Sequence, residues 1–80
     1  MPPEIALQIA SHTADSSLSP REVSVLQLIA AGNANKLVAD KLSISEGTVK
    51  GHVKSILSKL GASDRTHAVT IALKRGILEL

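Results

Sequence analysis

The sequence predicts an all-α fold: a compact four-helix domain containing a helix-turn-helix, preceded by a short linker helix. Three observations carry this. No segment alternates apolar and polar residues with the β-branched enrichment of a strand. Helix start and stop residues recur four times between Ser19 and Gly76. The chain has 80 residues, 44% of them hydrophobic, with no Phe, Tyr or Trp, so its single core must be packed from Leu, Ile, Val and Ala.

Residues 1–17 read as a partly helical linker. Within it, residues 2–11 form a short amphipathic helix begun by proline, and His12 to Ser17 form a polar joint. Residues 18–80 form the domain. Ser19-Pro20-Arg21-Glu22 is a capping box with proline at the first helical position, and it opens a helix near Pro20 to Ala31 that stops at Gly32. Val25, Leu26 and Ile29 share one face of it, together with Glu22, whose burial the reciprocal cap makes tolerable. A second helix runs from Asn35 to Leu42, with Val38, Ala39 and Leu42 inward. Ser43-Ile44-Ser45 is a turn. Ser45 caps a third helix ending at Gly61, and Asp64 caps a fourth, from Arg65 to about Arg75, with Gly76 as its stop.

Composition narrows the function. There is no cysteine, hence no disulfide and no thiolate metal site. The apolar runs are far short of a membrane span, and a soluble cytoplasmic protein is expected. His12, His52 and His67 have no second ligand or nucleophile spaced to join them. With no glycine-rich phosphate loop and no nucleophile elbow, neither an enzyme nor a cofactor is expected. The net charge of +2 is mild, so its placement matters more than its size.

That placement is on the third helix. At about 100° per residue, Val49, Val53, Ile56, Leu57 and Leu60 occupy one third of its circumference. Gly51 lies opposite, sharing its side with Gly47, Lys54, Ser55 and Ser58, while Thr48, Lys50 and His52 lie nearer the flanks. No acid follows Glu46 in this helix. A helix meant for solvent mixes charge signs. Small residues with lysines describe a surface that approaches a polyanion closely, and a glycine there lets the helix sit deep in a groove of DNA. Ala39, the turn at Ser43, Ile44 and Val49 stand at helix-turn-helix spacing. The turn position favours glycine for its tolerance of positive φ, and Ser43 fills it. Ser45, Thr48 and the free amides of the third helix can then meet phosphates.

The stretch from Leu18 to Leu78 resembles the LuxR/NarL/FixJ-type DNA-binding domain, over more than three quarters of the chain. The matching motifs are Leu18-Ser19-Pro20-Arg21-Glu22, Asn35-Lys36, Thr48-Val49-Lys50-Gly51-His52, Lys59-Leu60-Gly61 and Arg65 with Ala68. Leu37 departs from the family's frequent acidic residue, which removes one surface salt bridge. The resemblance implies the output domain of a two-component response regulator, whose third helix reads double-stranded DNA and whose fourth helix forms a homodimer. It implies base contacts from Lys50, Gly51 and Lys54, with Gly51 acting through close approach. Taken alone, the two lysines would read as solvated. Phosphate contacts are expected from Asn35, Lys36, Ser45, Thr48, His52, Ser55, Ser58 and Lys59. Lys36, Lys59 and Arg65 read equally as surface charges, His52 as a residue bordering the core, and Arg65 as an internal partner for a carboxylate.

The dimer face is expected to hold Thr66, Val69, Thr70 and Leu73. Ala68, Val69, Ile71, Ala72 and Leu73 cover more of the fourth helix than one-sided burial needs. The resemblance also implies a receiver or ligand-binding domain before residue 1. A second reading is a protein-interaction module resembling region four of sigma factors, with RNA polymerase as partner. The glycine-stopped fourth helix argues against it.

Overall fold

Four helices make up the computed structural model, which describes residues 18–79: α1 (Pro20–Ala30), α2 (Asn35–Leu42), α3 (Glu46–Leu60) and α4 (Arg65–Lys74). The linker helix expected before Leu18 lies outside the described residues.

Each boundary has a local cause. The Ser19 hydroxyl accepts the Glu22 amide at 3.1 Å, and Glu22 Oε1 accepts the Ser19 amide at 2.8 Å, closing the capping box. Ser45 Oγ accepts from the Thr48 amide at 3.0 Å, and Asp64 Oδ1 from the His67 amide at 2.8 Å. α2 starts without a side-chain cap, at Ala34. It ends at Ser43, which has φ 59° and is the only non-glycine with positive φ among the described residues. This is the helix-turn-helix position where glycine is favoured, and serine adopts the left-handed conformation there at some steric cost.

α3 packs against α1, α2 and α4. The core comprises Val25, Leu26, Val38, Ala39, Val49, Ile56, Leu60, Ala68, Ala72 and Leu78, so every helix contributes. Ile29, Leu42, Val53 and Leu57 pack against it half-buried, as their helical phases predicted. Fully burying each Leu, Ile or Val contributes roughly 1.5–3 kcal/mol. Leu78 was not anticipated. After α4 the chain folds back, the Ile77 and Leu78 amides both bonding to Ala72 O (2.8 and 3.3 Å), and this places Leu78 under α4.

Candidate nucleic-acid interface

α3 presents Gly47, Thr48, Lys50, Gly51, Lys54 and Ser58 to solvent, and leaves His52 half-buried at the flank. Nothing lies within 4 Å of where a Cβ on Gly51 would sit. Gly51 is helical and has no positive φ, so neither backbone strain nor crowding among the described residues requires a glycine there. At its N-terminus α3 has a hydroxyl pair, Ser45 Oγ and Thr48 Oγ1, 2.9 Å apart and exposed. Their mutual bond uses one hydroxyl proton and leaves the other free to donate outward. The amides of Glu46 and Gly47 lie in the first turn and have no intrahelical acceptor. Lys36 is exposed on the first turn of α2.

Three of the expected phosphate contacts have hydrogen-bond partners within the fold. Ser55 is half-buried, and its hydroxyl donates to Glu22 Oε2 at 2.7 Å. Lys59 Nζ pairs with Glu22 Oε1 at 2.8 Å. The helical wheel put Ser55 with Gly51 because it treats α3 as an isolated cylinder. Toward its C-terminal half, α1's first turn widens the covered arc to include Ser55 and Lys59. Asn35, the third, accepts from Arg65 Nη1 at 2.6 Å through Oδ1. Arg65 does pair within the fold, but with this amide and with the Asn33 carbonyl (Nη2, 3.3 Å) rather than with a carboxylate. These bonds tie the start of α4 to the first residue of α2 and to the α1–α2 loop.

Glu22 is the buried charged residue among the described residues. Burial alone would raise its pKa. The Lys59 ammonium, the Ser19 amide and the Ser55 hydroxyl, with Lys59's charge added, outweigh that and hold the carboxyl at about 2.

On α4, Ala68 and Ala72 are buried, Val69 is half-buried, and Thr66, Thr70 and Leu73 are exposed. Leu73 is 38% exposed, one of two large apolar side chains so placed among the described residues; the other is Leu37 on α2, at 49%. Among the described residues there is no cluster of three or more metal-ligating side chains, and no helix is long and apolar enough to cross a membrane.

Comparison with known proteins decides the family. Residues 16–72 match the family described as GerE, bacterial regulatory proteins, luxR family. The chain belongs to the luxR family of bacterial regulatory proteins. Among its relatives, the transcriptional regulatory protein YdfI of Bacillus subtilis is 48% identical over 66 residues, which are 82% of this chain and 31% of YdfI. The oxygen regulatory protein NreC of Staphylococcus aureus is 42% identical over 74 residues, 90% of this chain and 34% of NreC. The solved structure of the transcription factor GerE superposes with a TM-score of 0.75 at 35% identity, over 78% of this chain and 92% of that one. The response regulator ChrA of a heme-sensing two-component system superposes with a TM-score of 0.77 at 41% identity, over 91% of this chain and 36% of ChrA. The chain thus spans about a third of the length of the curated relatives it matches.

As a luxR-family domain, it is the DNA-binding domain of a transcriptional regulator and not an enzyme. The four-helix fold and the resemblance expected from the motifs are both borne out. Sequence reasoning missed the junction between α1 and α3. Its signal was present in Glu22, a carboxylate on an apolar face that needs a cation, but the partners lie 33 and 37 residues away.

Proposed function

We propose that this domain binds double-stranded DNA with α3 in the major groove and α2 across the backbone, and pairs with a second copy through α4. Lys50 and Lys54 reach base edges, and Gly51 lets the helix axis approach. Ser45, Thr48, Lys36, Ser58 and His52 meet phosphates, whereas Asn35, Ser55 and Lys59 hold the fold. One observation carries the reading. Gly51 costs helix stability of roughly 1 kcal/mol, and nothing among the described residues explains it, so the reason lies in what the exposed face meets.

We further propose that the domain is the output part of a longer response regulator. The relatives' greater length and the likeness to ChrA support this. In such a protein, a receiver or ligand-binding domain would control pairing, and RNA polymerase would be a further partner. The family's DNA-binding character favours the DNA reader over the protein-interaction module.

The test is DNA binding by Lys50→Ala and Lys54→Ala, using a duplex selected from random sequence by the parent chain. A base contact to guanine is expected to cost about 1–3 kcal/mol and relax preference at one position. A phosphate contact weakens all sequences alike and lowers the salt slope by about 1. If both variants keep parental affinity and preference, α3 is not the reader.

A further inference from the structure

The capping box of α1 needs only one oxygen of Glu22. Oε1 accepts the Ser19 amide, completing the cap. Oε2 is given to the Ser55 hydroxyl, and Oε1 is shared with the Lys59 ammonium. Two of the carboxylate's three donors therefore belong to α3. They sit four residues apart, one turn of helix, and Ser55 directly follows Lys54.

Apolar burial is not itself directional, and close packing of Val, Leu and Ile side chains leaves a helix only a small residual rotation. Base readout does not tolerate that. A rotation of about 20° carries a point at the ~5–6 Å radius of a helix through about 2 Å. Hydrogen bonds weaken steeply over much smaller errors in distance and angle. A charged group gripping two successive turns of α3 removes this freedom, and burial strengthens the grip because water does not compete for the donors.

We propose that Glu22 is the positioning residue of the recognition helix: through Ser55 and Lys59 it fixes the rotation of α3 at which Lys50 and Lys54 meet base edges. Lys59 then serves this setting and not a phosphate. The inference rests on α3 being the reader.

The experiment measures the 80-residue chain binding to its selected duplex and to a scrambled one, over a range of salt, with folding followed by circular dichroism. The variants are Lys59→Met, Lys59→Arg, Ser55→Ala and Glu22→Gln. Lys59→Met is expected to lower selected-site affinity about tenfold or more, the scale of one lost base contact. Scrambled-site affinity and the salt slope should stay at parental values. Ser55→Ala should act in the same direction, and Lys59→Arg, whose guanidinium can still hold the carboxylate, should restore preference.

The proposal is overturned if Lys59→Met weakens both duplexes equally and the slope falls by about 1, because Lys59 is then a phosphate contact. It is equally overturned if folded Lys59→Met and Ser55→Ala keep the parental ratio of selected to scrambled binding. A ratio lost in Lys50→Ala and Lys54→Ala but kept in Lys59→Met and Ser55→Ala rejects the positioning role while leaving α3 as reader. A ratio kept in all four rejects the reader itself. If Glu22→Gln unfolds, the Lys59 and Ser55 variants still decide.

Discussion

At Gly51 the outer face of α3 has no side chain, and a substitution there separates folding from binding. Open space surrounds the missing Cβ, so Gly51→Ala is expected to raise stability by up to about 1 kcal/mol. Its DNA affinity should stay level or fall. Gly51→Leu keeps the helix but holds it away from the groove, and specific binding should be lost. Thermal melts beside binding isotherms check both, and a leucine variant that binds like the parent rejects the close-approach role. Gly51 and Lys54 were legible in the sequence, because their helical phase sets them far from the apolar arc, while Lys50 lies nearer its flank. Ser43 was legible too, since the tight turn requires one residue near φ 60° whatever its type. Ser55, Lys59 and Asn35 were not. Each is a polar residue that suits solvent, a phosphate or an internal partner, and only the approach of another helix selects among these. Here α1 claims Ser55 and Lys59, and Arg65 of α4 claims Asn35.

Among the helices, boundaries were the most legible feature, because a cap is decided within four residues. Ser19, Ser45 and Asp64 each bond an amide three positions on, as expected. Contacts between helices carried less signal, and the α1–α3 junction shows why: Glu22 satisfies the cap pattern locally while its cation, Lys59, is distant in sequence. The junction predicts acid sensitivity. Glu22's pKa is lowered from 4.5 to about 2 in the folded chain, so its contribution is complete above the unfolded value and is lost as pH falls from about 4.5 toward 2. The loss is on the order of 3 kcal/mol for a shift of this size. Urea melts between pH 6 and pH 2 should show it. Lys59→Met, which removes the principal cation, should be less stable at pH 6 and should lose less on acidification. Equal pH dependence in parent and variant would show that the pair does not set Glu22's titration.

For the whole molecule, the question is what covers the outer side of α4. Ala68 and Ala72 spend its inner face on the core, while Thr66, Val69, Thr70 and Leu73 fall within one arc of the opposite side. A two-fold axis across that arc would set each helix against its own copy, as an isologous interface requires. One exposed leucine and one half-buried valine on a ten-residue helix make a small patch, so the isolated domain is expected to stay monomeric at micromolar concentration. Pairing should then occur on DNA, where two adjacent half-sites raise the effective concentration. Leu73→Asp tests this, because Leu73 is exposed enough for the monomer to accept a charge. Across the axis the two aspartates would face each other, costing about 1 kcal/mol or more of pairing energy. Binding to a paired site should lose cooperativity, while single half-site affinity and helical content stay at parental values. An unfolded Leu73→Asp variant would make Leu73 part of the core, and cooperativity surviving in a folded one would move the dimer surface off α4.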